Sequence, residues 1–126
     1  MAPEHPNIAV IKKFNPRDLG NAQDYMAKDL VWHFFNPKLP ALQGDHIGID
    51  GLKKFFALLG GLTKGTFQVE LISVHPIGDE LVTMHTQNTM MLADENINID
   101  VVLVWRGVEG YIKEVWDIPS VYTKSQ

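Results

Sequence analysis

Asp117 sits in the apolar stretch Tyr111-Ile112-Lys113-Glu114-Val115-Trp116-Asp117-Ile118, where an unpaired charge is expensive. The bulk of Val115, Trp116 and Ile118 favours the neutral carboxyl and lifts its pKa toward the range of a group that exchanges protons near neutrality. A structural reading stands beside this one: Asp117 caps the turn toward Pro119 or pairs with Lys113 or Arg106. In the stretch Leu81-Val82-Thr83-Met84-His85-Thr86-Gln87-Asn88, extended alternation sets Thr83, His85 and Gln87 on one face and Val82, Met84 and Thr86 on the other. The polar face either lines a pocket or meets solvent or a partner subunit. In the first case His85, with an ordinary pKa of ~6.5, joins Asp117 as an acid–base pair, and Gln87 orients the substrate.

Asp100 lies in Ile97-Asn98-Ile99-Asp100-Val101-Val102-Leu103-Val104-Trp105 on the face opposite Ile99, Val101, Leu103 and Trp105, a placement that suits solvation better than catalysis. It is held as a reserve site residue. Tyr25, Trp32, Phe34, Phe55 and Phe56 supply aromatic area for the walls of a site that takes a flat apolar ligand, although such residues are core in most domains. Trp116 alternates away from Asp117, toward core or a subunit interface.

Several chemistries are disfavoured. The chain has no cysteine, which removes thiolate nucleophiles, disulfides and Cys-ligated zinc and accords with a cytoplasmic location. Its five histidines show neither the His-x-x-x-His nor the His-x-His spacing, so no metal site is expected, and no serine stands in a Gly-x-Ser-x-Gly turn. Gly44, Gly48 and Gly51 match neither the dinucleotide fingerprint nor the phosphate loop. A net charge of −4, without a long basic cluster, disfavours nucleic acid. No basic n-region with an apolar h-region opens the chain, and no run reaches the ~20 apolar residues of a membrane span. Proton transfer without metal or organic cofactor is the chemistry left.

The elements that position these residues follow from periodicity. At 126 residues the chain suits one domain spanning 1–126. Ile8, Val10, Ile11 and Phe14 mark a short helix after Pro6 that Asn15-Pro16 stops. Residues 21–27 read as a second short helix, and residues 29–35 as a strand with Trp32 and Phe34 on one side. Asp50 is placed to cap a helix bearing Leu52, Phe55, Phe56 and Leu59, ended by Gly60-Gly61. Strands are expected over 66–74, 79–92, 97–106 and 111–118, with turns at Pro76-Ile77-Gly78, Asp94-Glu95-Asn96 and Gly107-Val108-Glu109-Gly110. Short connections make the later strands antiparallel neighbours. The expectation is an α+β cone: about three N-terminal helices on a strongly curved, mostly antiparallel sheet around a cavity for a small apolar ligand.

Over residues 7–122 the chain resembles the nuclear transport factor 2-like superfamily and, within it, the SnoaL-like polyketide cyclase group. The resemblance is carried by the early helices leading into Asp29-Leu30-Val31-Trp32-His33-Phe34, by Gln43-Gly44-Asp45-His46-Ile47-Gly48-Ile49-Asp50-Gly51-Leu52-Lys53-Lys54-Phe55-Phe56, by Gly78-Asp79-Glu80-Leu81-Val82, and by the run from Val104-Trp105-Arg106 to Val115-Trp116-Asp117. It implies the cone fold and a last-strand aspartate, Asp117, acting as general acid/base beside a carbonyl. The similar limonene epoxide hydrolases use an Arg-x-Asp pair where this chain has His85 and Gln87, which argues against epoxide opening by that triad. Ketosteroid isomerases place an Asp-Pro base where Asn36-Pro37 stands here, and an asparagine takes up no proton at neutral pH. The resulting expectation is a homodimer through the open sheet face that binds a small apolar or polyketide-like molecule, acting as a cofactor-independent cyclase or isomerase. The rival is a non-catalytic ligand-binding or assembly domain of the same fold, distinguished by whether His85 and Asp117 converge in one cavity.

Overall fold

A computed structural model describes residues 4–121. Met1, Ala2 and Pro3, and Tyr122 at the end of the resemblance, lie outside the described residues. In chain order the elements are α1 (Pro6–Ile11), β1 (Met26–Phe34), β2 (Gly44–Ile47), α2 (Gly48–Leu62), β3 (Gln68–Ile77), β4 (Leu81–Leu92), β5 (Glu95–Val108) and β6 (Tyr111–Pro119), with 3₁₀ turns at Ala22–Asp24 and Pro40–Leu42.

The strands form one mixed sheet of order β2-β1-β6-β5-β4-β3, antiparallel except where β1 runs parallel to β6. The meander β3 to β6 follows from tight connections. Ala93 and Asp94 both adopt left-handed φ (51° and 67°), as do Glu109 and Gly110 (54° and 85°), the geometry of two-residue hairpins whose twist matches the sheet. The expected turn at Asp94-Glu95-Asn96 therefore moves back to Ala93–Asp94, because alanine carries no local signal for a left-handed turn.

Two expectations about the helices are corrected. Residues 21–27 form no α-helix: a single 3₁₀ turn runs directly into β1, with Met26 paired to Ile112 and the Tyr25 carbonyl accepting from the Ile112 N–H at 2.9 Å. So short a segment cannot repay helix nucleation, and sheet pairing captures its end. The helix expected after Asp50 starts earlier, at Gly48, behind the unanticipated strand β2. Among the described residues there are thus two α-helices rather than about three, and the sheet is less strongly curled than the expected cone.

The helix α2 lies across one face of the sheet with Leu52, Phe55 and Leu59 buried. Thr63 closes it, its hydroxyl donating to the Leu59 carbonyl at 2.8 Å. The shorter α1 is fixed by Asn7, whose Nδ2 donates to the carbonyls of Asp79 (3.1 Å), Glu80 (3.2 Å) and Gly107 (3.1 Å). Gly107 is required for that approach, since a Cβ there would sit 2.5 Å from Asn7 Oδ1.

Candidate active site

Register decides which side chains face the helices. Across β1, β6, β5 and β4 the pairs Trp32–Val115, Val115–Trp105 and Trp105–Val82 form one inward row. The next inward row is Phe34–Asp117, Asp117–Leu103 and Leu103–Met84. Thr86 follows opposite Val101, and Asn88 opposite Ile99. Because side chains alternate, Thr83, His85, Gln87, Asp100, Val102, Trp116 and Ile118 project from the outer face.

Between the inward face, α1 and α2 lies a cavity of about 380 Å³ whose walls include Phe14, Trp32, Phe56, Met84, Leu103 and Trp105, with Asp117, Thr86, Asn88, Asn15 and Lys12 as its polar residues. That volume suits a small organic ligand. Its aromatic end is a packed cluster: Phe14 stacks on Trp32 at 5.6 Å, and Trp105 stands edge-on to both Phe14 (5.4 Å) and Trp32 (5.6 Å). A broader groove of about 580 Å³ beside Arg17 and Lys53 has no buried polar residue in its lining. The smaller cavity is where chemistry has a handle.

That handle is Asp117. Its carboxyl is partly accessible from the cavity and otherwise enclosed by protein, and Trp32 Nε1 donates to Oδ2 at 3.2 Å. Trp32 is its only side-chain hydrogen-bond partner among the described residues. Burial raises its pKa from 3.8 to about 7, the indole hydrogen bond opposing the rise but not cancelling it. Protonated and ionised forms are therefore both available near neutrality, as a group that takes and returns a proton requires.

The other expected site residues divide. Trp32 lines the cavity and orients Asp117. Phe34 and Phe55 pack on each other at 4.9 Å in the adjoining core, and Tyr25 is buried beside the 3₁₀ turn, so these three are not among the residues lining the cavity. His85 does not meet Asp117: it lies on the outer face, where Nε2 is 2.9 Å from Asp100 Oδ1 and Gln87 Nε2 donates to the same oxygen at 3.3 Å. This cluster is substantially exposed, and its hydrogen bonds from His85 and Gln87 hold the Asp100 carboxyl below the ordinary aspartate range. The proposed His85–Asp117 pair is thus separated by the thickness of the sheet. The reason lies in pairing: His85 is opposite Val102, whereas Asp117 is opposite Leu103.

Sequence reasoning missed Phe14, Met84, Thr86, Asn88, Leu103 and Trp105 as cavity walls. The available signal was the shared apolar face of Leu103 and Trp105 and the Met84–Thr86 face, passed over for its more polar opposite. A second outer-face network joins His33 to Asp45 (2.7 Å) and Glu114 (2.6 Å), and Arg106 to Glu114 (3.3 Å) and Glu80 (3.0 Å). Burial lowers the His33 pKa, but the Glu114 and Asp45 carboxylates outweigh it and leave the pKa raised. Among the described residues, no group of three or more His, Asp or Glu is arranged to hold a metal ion, and no helix is long and apolar enough to cross a membrane.

Comparison with solved structures places the architecture. The chain has the nuclear transport factor 2-like fold, matching structures of that kind, SnoaL-like polyketide cyclase structures among them, over nearly its whole length. A nuclear transport factor 2-like protein of Anabaena variabilis ATCC 29413 superposes with a TM-score of 0.75 at 16% identity, covering 100% of this chain and 98% of that one. A protein of Jannaschia sp. CCS1, described as a candidate SnoaL-like polyketide cyclase, gives 0.76 at 14% identity over 95% and 90% of the two chains. TerC, co-crystallised with polyporic acid, gives 0.76 at 22% identity over 91% and 92%. No family profile and no curated protein matches the sequence.

Proposed function

We propose that this protein binds a small, apolar, carbonyl-bearing molecule of polyketide type in the Asp117 cavity and catalyses a cofactor-independent cyclisation or isomerisation by proton transfer. One observation carries the reading: a single carboxyl, poised at about 7, faces an otherwise largely apolar cavity of ligand size. The polyporic acid complex of TerC and the cyclase description of the Jannaschia protein support the ligand class.

In the mechanism, ionised Asp117 removes a proton from the carbon next to a carbonyl, and the electron pair of the broken C–H bond moves into the enolate. Return of the proton from Asp117 to a different carbon completes an isomerisation. Attack of the enolate carbon on a second carbonyl of the same molecule, with the proton delivered to the new alkoxide, completes a ring closure. Trp32 holds the carboxyl in place by its Nε1 hydrogen bond. His85, Gln87 and Asp100 take no part in these steps.

The reading also includes a homodimer through the outer sheet face, where Val102 and Ile118 are directly paired across strands and are 44% and 50% exposed. A second reading, a binding module without catalysis, is favoured by the separation of His85 from Asp117, which leaves the carboxyl without a histidine relay.

Exchange of the α-protons of 2-tetralone in D₂O, followed by proton NMR, separates the two. Catalysis predicts exchange faster than buffer, rising with pH through about 7 as Asp117 ionises, and falling by ~10²-fold or more in Asp117→Asn. Binding of 2-tetralone without accelerated exchange leaves the binding module.

A further inference from the structure

The cavity has two unlike ends. At the inner one Asp117 stands with Trp32 and Trp105, both indoles only 2% exposed. At the outer one Phe67 and Val69 lead toward solvent, Val69 being 48% exposed. Asn88 belongs to this outer end, because it is paired with Val69 on one side and with Ile99 on the other. Its half-buried side chain is set in one orientation: the hydroxyl of buried Thr86 donates to Oδ1 at 2.9 Å. That bond leaves Nδ2, with its two N–H groups, without an acceptor among the described residues. Trp105 Nε1 is also without an acceptor but is sealed from water, whereas Asn88 Nδ2 is open to a water-sized group. Lys12 and Asn15, the other polar residues near this end, are engaged locally, Lys12 with Glu4 and Asn15 with the Arg17 N–H.

Asn88 and Asp117 are too far apart to serve one functional group. The pairing Asp117–Leu103–Met84 crosses two strand spacings, and Asn88 lies four residues beyond Met84 on the same inward face. At ~4.8 Å per strand and ~3.3 Å per residue, their backbones stand roughly 16 Å apart. Side chains leaning into the cavity, with contacts of ~3 Å at each end, leave on the order of 8 Å for the ligand itself. Two fused six-membered rings with an oxygen-bearing substituent at the far end cover that length, and a cavity of about 380 Å³ holds them.

We infer that Asn88 is the specificity-determining residue of the cavity, its Nδ2 donating to a second, distal carbonyl oxygen of a bicyclic ketone whose first carbonyl adjoins the carbon that Asp117 deprotonates. This rests on the proposed use of the Asp117 cavity. The arrangement sets the direction of the ligand: the reactive ketone enters first, and the distal oxygen stays at the outer end beside Asn88. Thr86 is a positioning residue, since its hydrogen bond keeps the amide from turning its own oxygen toward that of the ligand. A single-ring ketone reaches one end and gains nothing from the other.

The test uses two probes of the same shape, 6-acetyl-2-tetralone and 6-isopropenyl-2-tetralone, in which a CH₂ group replaces the distal oxygen. Their affinities are measured on wild type and on Asn88→Leu, and the readout is the ratio between the probes, which a general loss of packing does not move. Asn88→Leu should shift that ratio about fivefold against the acetyl probe, the equivalent of one hydrogen bond. In wild type, which needs no substitution to fold, the Asn88 side-chain amide protons should move downfield in NMR with the acetyl probe and stay in place with the isopropenyl probe. An unchanged ratio, or amide protons that respond alike to both probes, would overturn the inference and leave the Asn88 amide to solvent. These results leave the role of Asp117 standing, since that rests on the exchange of 2-tetralone by Asp117→Asn. Failure of both probes to bind wild type would overturn the cavity reading and this inference together.

Discussion

A carboxyl with a raised pKa leaves a thermodynamic trace that needs no substrate. Asp117 keeps its proton in the folded state up to about pH 7 but loses it near 3.8 when unfolded, so between those values the native state binds more protons and stability falls as pH rises. The cost is absent below both values and fully developed above about 7, where the shift corresponds to about 4 kcal/mol. Asp117→Asn keeps the shape and removes the titration. Urea unfolding should therefore find the variant close to wild type at pH 4 and more stable by up to about 4 kcal/mol at pH 8, while α-proton exchange is lost. An aspartate serving as a structural cap would give the opposite sign, with Asp117→Asn destabilising at pH 8. Only part of the apolar setting of this residue was legible in sequence: Val115 shares its inward face, but Trp116 and Ile118 turn outward, and the surroundings come from Phe34, Leu103 and Met84 across the strands. The face occupied by His85 was not legible, because a polar alternation reads the same whether it looks inward or outward.

Among the elements, α1 is the one with least support of its own, since six residues are too few to hold a helix in water. Asn7 compensates by tying it to the turn before β4 and to the end of β5. Because the same Nδ2 serves three carbonyls, Asn7→Ala strips all of them at once and should cost ~1–3 kcal/mol by urea unfolding. Gly107→Ala should loosen the same joint through the collision of its Cβ with the Asn7 side chain. Both changes act on the cavity as well, since Ile11 and Phe14 bring this segment to its wall. The long strands and α2 were readable from periods of two and 3.6 sustained over many residues. The segment 21–27 was not: so few residues cannot distinguish a helical period from the entry to a strand, and pairing of Met26 with Ile112, far along the chain, decides it.

For the whole molecule, the outer sheet face carries the remaining prediction. Val102 and Ile118 form an exposed apolar pair flanked by the His85–Asp100 cluster and the His33–Glu114–Arg106 network. If two copies meet there, Ile118→Glu places a charge in the contact and should convert dimer to monomer in analytical ultracentrifugation, with the fold retained. A wild-type monomer at the same concentration would remove the dimer from the proposed function. The sequence by itself determined that a meander of strands follows a helix-bearing half, that Asp117 lies in an apolar strand, and that His85 and Gln87 share a face. These are local properties, fixed by spacing along the backbone. Only the tertiary structure decided which of the two faces of each strand looks into the cavity. Cross-strand register sets Asp117 opposite Leu103 and His85 opposite Val102, and α2 covers the first side and not the second. Alternation has no sign of its own; packing supplies it, and with it the separation of His85 from Asp117 and the approach of Trp105 to the cavity.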